Sequence, residues 1–426
     1  MVKLKRDLTL FDLVFYGVGI ILGAGVYVLI GHAAAEAGNA VWMSFVVAAV
    51  IASFTGLSYA ELGSMYPKDA AEYTFVKTAF KDTTFGFVVG WLTFVMTIIA
   101  AAAVALGFGQ YLSSLTGIGT IAGAAMLIVF FAFLNYTGIK MSSRVNIILT
   151  SLTVLGLLMI IAIGIPHLGS VDYFESPKGF IGIFGAAALV FFAYLGFDEI
   201  VNVSEEAKNA KRNVPKSIII SVAITTVIYI LVSLAAVSVV PWQTLGQSGT
   251  PMALVAEQGI GASGGFLLAI FALFATASTV LILMIAASRM LFGMAEDRVM
   301  PKALLKVGKR KTPWVCISII AAVSLIFIMY TGMKDIALLV DFSAFFVFAM
   351  INLSCLLLRF TQPKVKRHFR TPLSIGRLPI LPLLGFLISA FMIFQFTLEL
   401  IWYGVGVMIA GYVFYKFYEG GNGKKS

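Results

Sequence analysis

Near the start of the chain, Phe15-Tyr-Gly-Val-Gly-Ile-Ile-Leu-Gly-Ala-Gly-Val-Tyr27 places four glycines inside an apolar run long enough to cross a bilayer. Glycine costs a helix interior about 1 kcal/mol relative to alanine, so Gly17, Gly19, Gly23 and Gly25 argue against one continuous helix. A helix broken at bilayer depth is tolerated only where the freed backbone groups are buried in protein or line a cavity. The stretch is therefore a candidate site as well as a span.

Composition sets how many such runs the chain holds. Hydrophobic residues make up 60% of 426 positions and charged ones 12%. One span takes about 20 mainly apolar residues, which leaves room for a dozen. The expected spans are 9-36, 40-66, 84-113, 118-137, 143-165, 181-206, 215-240, 262-296, 314-332, 336-359, 379-398 and 400-417. The first run has no small-residue cleavage pattern, so it reads as a retained helix and not as a secretory signal. Cys316 and Cys355 fall inside apolar runs and give neither a disulfide framework nor a metal pattern. His32, His167 and His368 are scattered near loop ends and read as interfacial residues.

Twelve spans put both termini on one side. Of the 30 basic residues, only Lys178 and Lys334 fall on the opposite side, so the face that holds the other 28 reads as cytoplasmic. The net charge of +10 is then a topology signal. Dispersed over short loops, it points to an anionic lipid face as partner and away from nucleic acid.

A second break is expected in the sixth span, Ala188-Leu-Val-Phe-Phe-Ala-Tyr-Leu-Gly-Phe-Asp-Glu-Ile-Val-Asn202. There Gly196 precedes Asp198 and Glu199, and a carboxylate at a helix centre costs roughly 2.5 to 3.5 kcal/mol on insertion scales. Interrupted spans at matching places in two blocks are the pattern of an inverted repeat of five plus five helices, with repeat one at 9-165, repeat two at 181-359 and two extra helices at 379-417. The glycine breaks match between the blocks; a residue-by-residue repeat does not. The fold class expected is an all-α polytopic membrane protein, one transport domain over 1-426.

The chemistry of the breaks follows from their polarity. Opening the first helix at Gly23-Ala24-Gly25 exposes the amide end of a half-helix, which favours a carboxylate by up to about 2 kcal/mol. Carbonyls freed near Phe192, Ala193 and Leu195 would accept from an α-ammonium. Together they describe a clamp for an α-amino acid. Gly17 reads instead as a helix-packing position. Asp198 reads as a gating or helix-fixing residue, and Asp341 is a further acid within a span. Glu205 and Glu206, close to Lys208, Lys211 and Arg212, read as surface charge pairing, which is worth little.

Three motifs carry a family resemblance: Gly19-Ile-Ile-Leu-Gly-Ala-Gly-Val26; Phe191-Phe-Ala-Tyr-Leu-Gly-Phe-Asp198 with Glu205-Glu206 and Lys208-Asn-Ala-Lys-Arg-Asn-Val-Pro215; and Ser288-Arg-Met-Leu-Phe-Gly-Met-Ala295 with Pro301. In their order they resemble the amino acid-polyamine-organocation permeases, and most of all the cationic amino acid transporter branch and its prokaryotic relatives. Two departures are Asp69-Ala-Ala-Glu-Tyr73, where the family usually has a glycine pair before the tyrosine, and Glu296-Asp-Arg298. The resemblance implies a LeuT-like fold and the same division of labour between the breaks. It would also bring Met96, Phe192 and Leu283 to the substrate side chain, with Phe192 as a gate. These are apolar, and an unpaired buried charge costs several kcal/mol, so neutral or apolar side chains are favoured.

Coupling would involve Na+ or H+. Oxygens of Gly19, Leu22, Ala275, Ser278 and Thr279 correspond to the sodium ligands of relatives, while the fifth-span lysine of some proton-coupled permeases aligns with Thr153. Hydroxyls that merely bond back to their own helix are the competing account of Ser278 and Thr279. The expected activity is transport of an α-amino acid through the cell membrane by a symporter or exchanger, with no enzymatic role and no organic cofactor. Alternatives are an amino acid sensor without flux and a cationic amino acid or polyamine carrier; oligomeric state is left open.

Overall fold

The computed structural model describes residues 5–248, 250–330, 333–394, 396 and 398–422, without the side chains of Ala24, Val28, Ser114, Phe192, Tyr330, Asp341, 333–339 and 420–422. In chain order the helices are α1 (Leu10–Ile21), α2 (Ala24–Ala37), α3 (Val41–Met65), α4 (Ala71–Phe80), α5 (Thr83–Thr116), α6 (Thr120–Thr137), α7 (Ile139–Gly164) and α8 (Gly179–Phe191). After a stretch of 3-10 turns come α9 (Ala210–Val239), α10 (Trp242–Gln247), α11 (Pro251–Ile260), α12 (Ala262–Glu296), α13 (Trp314–Tyr330), α14 (Met333–Thr361), α15 (Ile380–Ile393) and α16 (Leu398–Asn422). A small antiparallel hairpin, β1 (Ser374–Ile375) and β2 (Leu378–Pro379), joins α14 to α15.

Among the described residues nine helical stretches are long and apolar enough to cross a membrane, and three shorter apolar helices accompany them. Polarity is arranged inside out, as a bilayer demands. Phe133, Phe184 and Ile326 face outward, while Ser58, Thr97, Asn146, Thr150, Ser278 and Asn352 are buried. With no water at that depth, polar groups must find partners within the protein.

The first run starts where the sequence caps it. Thr9 accepts from the Asp12 amide at 3.3 Å, and Asp12 returns the bond to the Thr9 amide at 2.9 Å. Helix α1 stops at Leu22, and Gly23 runs extended before α2 begins. In the sixth run α8 ends at Phe191, and the chain continues as 3-10 turns over Phe192–Tyr194 and Phe197–Glu206, parted by Gly196 at φ 113°. That φ is open to glycine and closed to most other residues.

Span boundaries otherwise differ by a few residues from those expected. The short helices α4, α10 and α11 and the hairpin lie in segments read as loops. They are too short, or too polar, to register as membrane-length runs. Cys316 and Cys355 are free and buried. Helix α1 packs on α9, α7 and α12, and α3 on α9, which brings both breaks to the middle of the molecule.

Candidate functional site

The two breaks touch. A Cβ added at Gly25 would lie 3.0 Å from Ala193 Cα, and one at Gly196 would lie 2.7 Å from Ile20 Cγ1. Backbone thus meets backbone at Gly25 and Ala193, a close approach that a larger side chain would block. A third helix pins the crossing: the Tyr229 hydroxyl on α9 reaches the Ala193 carbonyl at 2.9 Å and also the Ile21 carbonyl.

A cavity of about 90 Å³ opens at this crossing. Of the residues expected at the site, Gly23, Gly25, Met96, Ala193, Leu195, Asp198, Thr279 and Leu283 all line it. The side chains of Ala24, Phe192 and Asp341 lie outside the described part of the structure. Val340 and Ala344 of α14 add apolar wall, and Thr97 and Glu199 add polar wall. The N-cap of α2 is Gly23, which has no side chain to satisfy the first amides of that helix. The first amides of a helix are the groups that suit an anionic partner.

The acids at the cavity are held by neighbours. Asp198 accepts from the Gly196 amide at 3.0 Å, so it fixes the turn that restarts the chain after the break. Glu199 accepts from the Thr97 hydroxyl at 2.8 Å and from Asn202 at 3.1 Å, and it forms no ion pair among the described residues. Its position on the cavity wall was not legible beyond its place beside Asp198. Nor did anything local single out Tyr229, one tyrosine in a long apolar helix.

A second polar cluster lies behind α1. Ser278 Oγ is 2.9 Å from Asn146 Oδ1, 3.2 Å from Thr150 Oγ1 and 3.5 Å from the Gly19 carbonyl. This corrects the alignment of Thr153 with that place: Thr153 bonds back to the Leu149 carbonyl at 3.0 Å, whereas Thr150 and Asn146, one and two turns earlier, face Gly19. Thr279 bonds back to the Ala275 carbonyl at 3.2 Å, and the Leu22 amide continues the helix to Val18. Within 3.5 Å of Ser278 Oγ lie oxygens of Gly19, Thr150 and Asn146. Gly17 is a packing position, its missing Cβ filled by Ile200 and Ser221, each 2.5 Å away.

The basic-loop end of the breaks is latched. The Leu8 amide donates to the Glu206 carbonyl at 3.0 Å, and the Lys208 amide to the Leu8 carbonyl at 2.8 Å. Glu206, expected to be a surface charge, is instead buried and pairs at 2.9 Å with buried Arg289 of α12. Its partner lies 83 residues away, so the neighbouring lysines were a misleading guide. Glu205 does pair near the surface, with Lys68 at 3.1 Å, while its amide donates to Asp69 at 2.7 Å.

Residues 8–413 match the family model described as amino acid permease. The branched-chain amino acid permease BcaP of Bacillus subtilis is 32% identical, over 96% of this chain and 92% of its own. A methylthioribose transporter of the same organism is 30% identical over 96% and 93%. Human cationic amino acid transporter 4 is 33% identical over 69% of this chain and half of its own length.

Proposed function

We propose, from the fact that this chain belongs to the amino acid permease family, that it carries an α-amino acid across the cell membrane by alternating access at the crossing of its two breaks. The carrying observation is the contact of Gly25 with Ala193 at a cavity that also receives the uncapped amide end of α2. A carboxylate would sit on those amides and an ammonium on the carbonyls around Ala193 and Leu195. Tyr229 already occupies the Ala193 carbonyl, so the ammonium would share or displace that bond.

The side chain would be neutral or apolar, because Met96, Leu283, Val340 and Ala344 face it. One observation favours a second reading. Glu199 lines the cavity without an ion pair among the described residues, which would suit a cationic side chain. The names of the relatives, a branched-chain permease, a cationic transporter and a methylthioribose carrier, do not choose between them.

The nine long stretches and the three shorter apolar helices, one of which, Gly179–Phe191, opens the broken sixth run, support twelve spans. In that reading the first five and second five form inverted repeats, both termini are cytoplasmic, and α15 and α16 are additions. Sodium would sit among the oxygens of Gly19, Ser278, Thr150 and Asn146; a proton-coupled or exchange mode is the alternative.

Counterflow in liposomes tests this directly. Preloaded vesicles should exchange leucine or alanine, and Gly25→Leu should abolish both exchange and ligand-induced thermal stabilisation. If none of the twenty amino acids exchanges and Gly25→Leu leaves that stabilisation intact, the clamp is wrong. Binding without flux would identify a sensor, and selective exchange of lysine that Glu199→Gln removes would establish the cationic reading. For sodium, Ser278→Ala should weaken uptake at least tenfold in sodium buffer; indifference to sodium replacement removes the ion from the account.

A further inference from the structure

The loop after α14 is basic without relief. Arg359 in the last turn of α14 leads into Lys364, Lys366, Arg367, Arg370 and Arg377, and no acidic residue follows until Glu399. Among the described residues its one ion-pair partner comes from another helix. Glu61 of α3 accepts from Arg359 Nε and Nη2, each at 2.6 Å, from Arg367 Nε at 2.9 Å and from the Thr371 amide at 2.8 Å. Four donors leave that carboxylate with nothing to offer a further cation.

The loop is folded around this carboxylate. Arg367 also donates to the carbonyls of Gln362, Val365 and Leu358, and the β1–β2 hairpin returns the chain to α15. Arg359 differs: its side chain is only 3% exposed, and its Nη1 has no hydrogen-bond partner among the described residues. Arg359 lines a cavity of about 350 Å³ whose wall also holds Arg367, Arg370 and Arg377. Neither Arg370 nor Arg377 forms an ion pair among the described residues.

From this geometry we infer a binding site for a phosphate group. Four arginines line one cavity, and Glu61 is the one carboxylate bonded to any of them among the described residues, so the site carries a surplus of three positive charges. Arg370 and Arg377 are exposed, so their donors are open to a ligand, and a tetrahedral oxyanion supplies several acceptors at once. Guanidinium forks match phosphate oxygens two at a time, which lysines on a merely basic face would not do. The volume exceeds what a bare phosphate needs, so a phosphodiester with a substituent also fits. The phosphate would come from an anionic lipid headgroup or from a free phosphate compound. The lipid source rests on the cytoplasmic reading of this face, where anionic lipid collects.

Occupancy would tie α3, α14 and the hairpin together, and α14 carries Val340 and Ala344 of the central cavity. The test uses the full chain in nanodiscs of phosphatidylcholine, alone or with 20–30% phosphatidylglycerol, and separately in detergent with inorganic phosphate against chloride at equal ionic strength. Unfolding temperature and lipids retained in native mass spectrometry are read out. The variant is Arg370→Ala/Arg377→Ala, which spares the Glu61 clamp. Its control, Lys309→Ala/Arg310→Ala, removes as much charge from the same basic face.

Wild type should be stabilised by one or both probes, with at least a tenfold loss of apparent affinity in the site variant and none in the control. Response to phosphatidylglycerol alone assigns the lipid source, and response to inorganic phosphate assigns the soluble one. Two results overturn the site: no response of the wild type to either probe beyond that to chloride, or equal losses in the two double variants. Either would leave the amino acid clamp untouched, since the readouts involve no amino acid.

Discussion

At the basic-loop end, α12 and the 197–206 segment meet through buried charge, Arg289 on Glu206 at 2.9 Å, and the backbone of Leu8, just before α1, is stitched to Glu206 and Lys208. At the other end, α2 and α8 meet through Lys178 on Glu36 at 2.7 Å, with both side chains more than a third exposed. Asn39 and the Ala40 amide reach over to Glu175 there, at 2.7 and 3.1 Å. Water can replace the second set of contacts as it breaks. For the first set it must enter before the charges part, because isolated buried ions are costly. One molecule thus holds the two ends of its central crossing by unlike means, and the end richer in buried charge is the harder to open.

The largest test of that contrast is a pair of truncations. Glu206→Ala leaves Arg289 buried and alone and should cost about 3–5 kcal/mol, whereas Glu36→Ala at the exposed pair should cost about 0–1 kcal/mol. Unfolding of the two purified variants under one protocol reads the difference, and equal losses would erase the contrast. Tyr229→Phe probes the point where the halves join. It strips a donor from buried carbonyls of Ile21 and Ala193, at a cost of about 1–3 kcal/mol. An unchanged unfolding midpoint would mean that the pin contributes nothing.

The smallest effect concerns pH. Burial, with Glu205 and Glu206 nearby, holds the Asp69 carboxyl in the loop before α4 well above the usual range. The native state then keeps this proton to higher pH than the unfolded chain, so stability falls as pH rises from the ordinary aspartate range through the raised value. Asp69→Asn can still accept the Glu205 amide and should gain on wild type, by on the order of 1 kcal/mol, between pH 5 and pH 8. A constant difference across that range would show that Asp69 adds no slope to the latch.

The breaks were legible because glycine is the one residue whose presence in an apolar run contradicts its surroundings. Gly23, Gly25 and Gly196 all stand at the crossing for that reason. Groups that act across distance were not legible. Glu206 sits among lysines in sequence and beside Arg289 in space. Asn146 and Thr150 lie on an apolar helix whose inward face is set by packing, so an alignment drifted by one turn to Thr153. The hairpin after α14 is only two residues per strand. Its short length leaves no alternating pattern to read.

Both native thiols, at Cys316 and Cys355, are sealed away with at most 1% exposure. A maleimide probe added to the folded protein would therefore find little to react with. Pairs of cysteines placed at Lys178 and Glu36, or at Lys208 and Arg6, all outside the core, could carry spin labels or dyes in the otherwise native chain. Distances across each end of the crossing could then be followed during a turnover, without first building a cysteine-free background.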